Sequence, residues 1–418
     1  MSPPSRFLSI AASVLASVAL AGQHDPLAYK PPTFPNAENH LKVQFLPPER
    51  DWERVDIYVP KEAKEERLPC VVIFYGGGWD GKVMQGKDEL QALLDRGYVV
   101  AVPDYCLGAV TPVPLAIWDG AHAIRWLRAN AAKYRIDPER IGAWGLSAGG
   151  WLVQYLAPSD SSTVFALRPK RSKDTIHVPM LDPRPALAEH SARLQAFVSD
   201  WGAGRLAEKN ISGCPAWLTS DDPPLHTCHV DPAGKLPPGP ELLRQAGVPV
   251  AIAFLTNVKN THVPSPVRSL TTDAAGKEIT YREHIHRFLD EYVKRRKPAA
   301  ALGPRPSGVT GSVSPSIITT AERVFRAAKG KPFSARFEAK SALPVQWFVT
   351  GKTALVSDRA HNPLKKLPWL EMDAATGVLS GTPDAAGVCP LLVVANARDG
   401  ERVLCDAVRA TVVVEEQR

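Results

Sequence analysis

Arg140-Ile141-Gly142-Ala143-Trp144-Gly145-Leu146-Ser147-Ala148-Gly149-Gly150-Trp151-Leu152-Val153-Gln154-Tyr155-Leu156 decides how this chain is read. Arg140–Gly145 is short, apolar and rich in small residues, the pattern of a buried strand. Ala148–Leu156 has the composition of a buried helix. Between them, Gly145-Leu146-Ser147-Ala148-Gly149 fits G-x-S-x-G. Composition alone would place that pattern in a chain of this length about one time in ten. The flanking strand and helix give it weight, because the pattern works only as a strand–turn–helix elbow that lifts a serine hydroxyl above a sheet.

The surrounding sequence supplies the sheet. Val55–Val59 alternates like a strand, and Cys70–Tyr75 is a continuous apolar run of the kind buried on both faces of a parallel sheet. Tyr98–Val102, Ala196–Ser199, Leu225–Val230 and Val248–Leu255 add further strands. Helical spacing marks Lys87–Arg96, Val113–Lys133, Glu241–Ala246 and a stripe from Tyr281 to Val293. Pro26–Pro48 reads as proline-rich coil. Pro158–Ser191 reads as irregular, and its length suits a cap or rim. Strands alternating with helices predict an α/β fold, a doubly wound and mostly parallel sheet, with chemistry in the loops after the strands.

A serine hydroxyl needs a base before it can attack. On such a sheet the partners follow in the order Ser, Asp or Glu, His. Asp231 follows Leu225–Val230, and His262 follows Val248–Leu255. They are the candidate carboxylate and base for Ser147, with Asp200, Asp221 and Asp222 as competing carboxylates. His226 and His229 belong to the strand and are read as core residues. Tyr75-Gly76-Gly77-Gly78-Trp79 follows the buried strand. In an acyl transfer the N–H groups of Gly77, Gly78 and Ala148 would hold a developing oxyanion. Trp79, Trp151 and Trp201 lie beside these motifs and are candidates for a substrate pocket, with core packing as the alternative. No cysteine or histidine spacing suggests a metal, and no cofactor motif is present.

Composition bounds the rest. Hydrophobic residues make up 44% and charged residues 22%, which argues against general disorder. The net charge of +7 comes without a basic stripe interleaved with aromatics, so nucleic acid is not an expected partner. Residues 1–21 read as a secretory signal: Arg6, then the apolar run Phe7–Ala21 ending in Ala19-Leu20-Ala21. The expected location is secreted, periplasmic or at the cell surface. Of six cysteines, Cys214–Cys228 and Cys389–Cys405 are candidate bridges, with free buried thiols an equal alternative. Residues 22–297 form the expected α/β domain. Residues 298–315 form a Pro/Gly/Ser linker. Residues 316–418 form an all-β region with Phe333, Ala335, Phe337 and Ala339 alternating.

Tyr75-Gly76-Gly77-Gly78-Trp79, Asp104-Tyr105-Cys106-Leu107, Asp137-Pro138-Glu139-Arg140-Ile141 and Gly145–Gly150 together resemble the hormone-sensitive-lipase-like esterases. The nearest branch is bacterial feruloyl and acetyl esterases acting on plant polysaccharides. The resemblance covers Leu41–Lys297. It implies an α/β-hydrolase with the triad Ser147, Asp231 and His262, oxyanion donors Gly77, Gly78 and Ala148, no cofactor, and a small ester or esterified polysaccharide as substrate. This chain departs from the family pattern at Tyr75, where the family has His, and at Cys106, where it has Arg. Leu367-Pro368-Trp369-Leu370 and Asp373–Pro383 resemble the immunoglobulin-like, cadherin-like domains of bacterial surface proteins. That resemblance implies a β-sandwich serving as spacer, adhesive or glycan contact. Two other functions fit the same residues: a serine peptidase of the prolyl-oligopeptidase type, and a degenerate hydrolase acting as a surface binding protein.

Overall fold

The computed structural model describes residues 29–45, 54–78, 82–105, 113–159, 164–167, 176–179, 187, 189–200, 218–230, 238–258, 265–295, 317–320, 322, 324–349, 369–399 and 402–416. An eight-stranded sheet organises the first part. Its strands are β1 (Ala37–Gln44), β2 (Arg54–Pro60), β3 (Leu68–Phe74), β4 (Val99–Pro103), β5 (Ile136–Leu146), β8 (Phe197–Asp200), β9 (Leu225–His229) and β10 (Val250–Phe254), in spatial order β1-β2-β4-β3-β5-β8-β9-β10. Between β5 and β8 in the chain lies a small antiparallel hairpin, β6 (Val164–Leu167) with β7 (Ile176–Pro179). The pairs from β4 through β10 are parallel, while β1 and β2 form an antiparallel edge. The expected mostly parallel sheet is present.

Helices cover both faces. They are α1 (Lys87–Asp95), α2 (Val113–Ala129), α3 (Ala148–Leu156), α4 (Pro238–Gln245) and α5 (Tyr281–Leu289). The last runs into a π-helical turn, Asp290–Lys294. Gly120 of α2 faces Leu152 and Leu156 of α3 and Phe74 of β3, which puts α2 and α3 on one face. Gly142 of β5 meets Val293, which puts the π-turn on the other. There α5 and its turn are tied to the α1–β4 region. Arg282 makes two bonds to the Glu89 carboxylate, at 2.8 and 2.6 Å. Arg96 and the Tyr98 hydroxyl both bond to Asp290, at 2.6 and 2.9 Å. Every residue of β3 is buried, as its unbroken apolar sequence requires. The sheet and its two helical layers fit an α/β-hydrolase.

Two sequence expectations are corrected here. Ala37–Gln44, read as coil, is strand β1. Only Ala37 is buried in the core, Leu41 and Val43 pack against it, and the register shifts between His40 and Val43, where Lys42 has φ 52°. The Lys42 N–H leaves the ladder and bonds to Asp56 Oδ1 at 2.8 Å. A polar, bulged edge strand carries little of the period-two signal. The segment read as irregular, Pro158–Ser191, contains the β6–β7 hairpin. A further hairpin, β11 (Leu270–Thr272) with β12 (Glu278–Thr280), leads into α5.

The C-terminal part is all strand among its described residues: β13 (Ile317–Ile318), β14 (Val324–Ala328), β15 (Phe333–Arg336), β16 (Ala339–Lys340), β17 (Val345–Val349), β18 (Glu371–Met372), β19 (Val378–Gly381), β20 (Gly387–Asp399) and β21 (Arg402–Glu415). One sheet runs β14-β21-β20-β17, another β15-β19-β18, and β13 pairs with β16. Phe337, Trp347, Leu379, Leu391 and Val412 belong to a core separate from that of the α/β part. The Asp373 side chain accepts the N–H groups of Ala375 and Thr376 at 2.9 and 2.8 Å, which closes the turn before β19. The bridge Cys389–Cys405 does not form, and Cys389 is free. The β20–β21 register sets Cys389 opposite Val412 and Cys405 opposite Asn396, seven rungs apart.

Ile73, in the middle of β3, is fully buried. Ile73→Ala is expected to lower stability by about 3 kcal/mol through lost burial and a residual cavity. A fall in the urea midpoint at unchanged slope is the readout.

Candidate active site

Ser147 sits in the bend between β5 and α3 with φ 51° and ψ −111°. A side-chain-bearing residue in this region stores roughly 1–3 kcal/mol of strain, so the surroundings must hold it. Part of that restraint is backbone: the Ser147 N–H bonds to the Asp200 carbonyl at 2.8 Å, and its own carbonyl accepts Trp151 N–H at 2.9 Å. The bend is also steric. A Cβ on Gly145 would overlap the Gly149 carbonyl, and one on Gly149 would overlap the Phe74 carbonyl. The helix therefore rests directly on β3 and β5. Those contacts are the physical content of the two glycines in the motif.

The glycine loop lies beside this bend. A Cβ on Gly76 would stand 3.2 Å from Ser147 Cβ and 3.0 Å from the Leu146 carbonyl oxygen. Gly77 and Gly78 follow with φ 121° and 64°, the left-handed region that glycine enters without strain. Gly76 and Val83 exchange two backbone hydrogen bonds, at 2.9 and 3.0 Å, closing the loop at its base. Ala148 opens α3, so its N–H is among those left without a partner inside the helix. Gly77, Gly78 and Ala148 are thus on segments that meet at Ser147.

Asp231, His262, Trp79, Trp201 and Cys106 lie outside the described residues. The strands that precede two of them in the sequence are β9 and β10. β9 and β10 run parallel, with His229 in register with Phe254, and end on the same edge of the sheet as β5. In the sequence, Asp231 comes two residues after β9 and His262 eight residues after β10.

The competing aspartates separate clearly. Asp221 and Asp222 sit in the turn before β9, at the opposite edge from Ser147. Asp222 accepts Thr219 N–H at 2.7 Å, and Asp221 pairs with Arg193 at 3.1 Å. Asp200 is at the correct edge, but its carboxylate accepts the Trp144 indole N–H at 2.8 Å and the Tyr281 hydroxyl. Burial pushes that carboxyl up to about 6, against the two donors, which favour the charged form. Asp200 ties β5 to α5 and holds the bend through its carbonyl.

The remaining sequence assignments divide. Trp151 is 9% exposed, edge-on to Tyr155 at 4.3 Å, and packs as a core residue. His226 is fully buried, as expected, with Nε2 2.8 Å from His284 Nδ1, and burial holds both imidazoles below their usual range. His229 is corrected from core to half-buried, because it lies at the strand end near Phe254. Cys228 is free, so the bridge to Cys214 does not form; its thiol sits on the buried side of β9 beside Tyr281 and Asp200. Tyr75 is buried and stacked on Tyr105 at 4.5 Å. Its hydroxyl accepts Tyr105 N–H at 3.3 Å, and burial together with the nearby Asp104 carboxylate pushes that phenol up. Sequence reasoning missed Lys82, a buried cation within the loop closed by Gly76 and Val83. Among the described residues, no group of three or more His, Cys, Asp or Glu could hold a metal ion.

The likeness to known proteins lies in the same region. Residues 55–181 match the family described as BD-FAE, an α/β-hydrolase esterase family, over less than a third of the chain. Carboxylesterase NlhH of Mycobacterium tuberculosis is 38% identical over 106 residues, covering 25% of this chain and 33% of the relative. The arylesterase of Saccharolobus solfataricus is 32% identical over 130 residues, covering 30% of this chain and 39% of the relative. The chain thus spans between a third and two fifths of these relatives' length. Among solved structures, a truncated form of a carbohydrate esterase from gut microbiota superposes with a TM-score of 0.50 at 20% identity, over 64% of this chain and 100% of that one. That likeness concerns the fold.

Asp200 supplies a pH test. Its carboxyl ionises near 3.8 when unfolded but near 6 when folded, so the folded state holds the proton longer. Its contribution is present below about pH 4 and lost as pH rises to about 6, by about 3 kcal/mol from the two-unit difference. The stability of wild type minus that of Asp200→Asn, from urea unfolding, is expected to shrink by that amount between pH 4 and pH 7. A constant difference would show that the two donors outweigh burial.

Proposed function

We propose that this chain hydrolyses carboxylic esters through an acyl-enzyme on Ser147. The observation that carries the reading is the placement of the glycine loop against the strained Ser147 bend. A hydroxyl on a strained bend and a glycine loop that packs against it through Gly76 are what an acyl transfer with backbone oxyanion donors requires. The match to an esterase family and the esterase relatives support the reaction class.

In this reading His262 takes the Ser147 proton as Oγ attacks the ester carbonyl carbon, and Asp231 orients the imidazole. The carbonyl oxygen becomes an oxyanion facing the N–H groups of Gly77, Gly78 and Ala148. Collapse expels the alcohol, protonated by His262. Water then repeats the sequence and frees the acid. The substrates assigned are acetyl or feruloyl esters of polysaccharides, in keeping with the sequence resemblance. Residues 1–21 serve as an export signal, and the C-terminal strands form an immunoglobulin-like spacer.

Wild-type protein is expected to hydrolyse a short-chain p-nitrophenyl ester. Ser147→Ala is expected to lose about 10⁴-fold or more in kcat with its fold intact. Acetylated and feruloylated xylan fragments then rank the substrates. Turnover of prolyl peptide amides above that of esters would overturn the esterase reading in favour of a peptidase.

A further inference from the structure

Lys82 is a loop lysine whose side chain is only 2% exposed. Lysine is almost never fully buried without partners, and here the partners are specific. Nζ lies 2.7 Å from Asp104 Oδ1 and 3.9 Å from Asp56 Oδ2. It also stands over the rings of Tyr29 and Tyr75, 4.4 and 4.9 Å from their centroids. Asp56 belongs to β2, and Asp104 directly follows β4, so the cation is held by the sheet rather than by its own loop. Tyr75, at the other end of the loop, is fixed by the Tyr105 N–H at its hydroxyl, next in the chain to the same Asp104.

The loop bearing Gly77 and Gly78 therefore has two anchors. The Gly76–Val83 bridge fixes its backbone spacing. The Lys82 ion pairs fix how that closed loop tilts against the sheet. A bridge of two hydrogen bonds alone leaves a hinge about its own axis; a charged tether one residue from the bridge removes it.

We propose that Lys82 is a positioning residue that, through Asp104 and Asp56, keeps the Gly77 and Gly78 amides aimed at the space beside Ser147. This rests on the esterase reading for what those amides do, and on the geometry alone for how the loop is held. Lys82 does not touch substrate.

The test uses the full-length protein and the variants Lys82→Met, Lys82→Arg and Asp104→Asn. Misaimed amides weaken the transition state more than the bound substrate. For Lys82→Met, kcat on a short-chain p-nitrophenyl ester is expected to fall about 10- to 100-fold, with KM within about twofold of wild type. A trifluoromethyl ketone provides a second readout. Ser147 Oγ adds to its carbonyl carbon, the hydroxyl proton passes to the base, and the carbonyl oxygen becomes an oxyanion. Its inhibition is expected to weaken by the same factor. Lys82→Arg is expected to recover most of the loss, and Asp104→Asn to reproduce it. Amide hydrogen exchange is expected to quicken in residues 76–83 of Lys82→Met and not in α3.

A folded Lys82→Met with wild-type kcat, inhibition and exchange overturns the proposal, as does a loss that appears only as a lowered melting temperature. Should Lys82→Met fail to fold, Asp104→Asn decides by the same measurements. A wild type inactive on every ester would end the esterase reading, and the exchange comparison would still decide whether Lys82 anchors the loop.

Discussion

Three backbones meet at the end of β5 with no room for a side chain between them. The start of α3 rests on the Phe74 carbonyl through Gly149 and on β5 through Gly145, and Gly150 comes within 2.5 Å of the Asp200 carbonyl measured from a would-be Cβ. Close packing of main chain on main chain leaves Ser147 one conformation, the one with positive φ. The strain is offset because neighbours on three strands would have to move to relieve it. The parallel sheet with two helical layers supplies those neighbours, so the architecture and the bend are one constraint.

Much of this is legible in the sequence because it is local. The apolar run of β3, the boundaries of α3 and the glycines of the bend all sit in short windows whose composition admits few conformations. What escaped is non-local or weakly patterned. β1 escaped because only Ala37, Leu41 and Val43 of its residues pack on the core, out of strict alternation, and a bulge bends it at Lys42. Lys82 escaped because its partners are 26 and 22 residues away, and a lysine in a glycine-rich loop reads as surface charge. The roles of the aspartates could not be separated by order alone. It took the sheet to set Asp221 and Asp222 at the far edge and to show the Asp200 carboxyl already engaged.

Several buried polar groups join elements near the site. Asp56, Asp104 and Lys82 lie under the glycine loop; Asp200, Trp144, Tyr281 and Cys228 lie beneath the bend; His226 and His284 pair beside them. An apolar filling would cost less desolvation. What these groups share is direction: each hydrogen bond or ion pair admits one relative placement of the elements it joins. Hydrophobic contact holds the layers together, and the polar groups set their angles.

The closed glycine loop has a consequence for how such a site changes over time. Its working groups are amides of the main chain, which no codon change deletes. Mutation can alter only the frame around them: the ammonium beneath and the stacked phenols behind. Chemistry at this corner is hard to erase and easy to retune, and inheritable variety in what the protein accepts should be written in the frame.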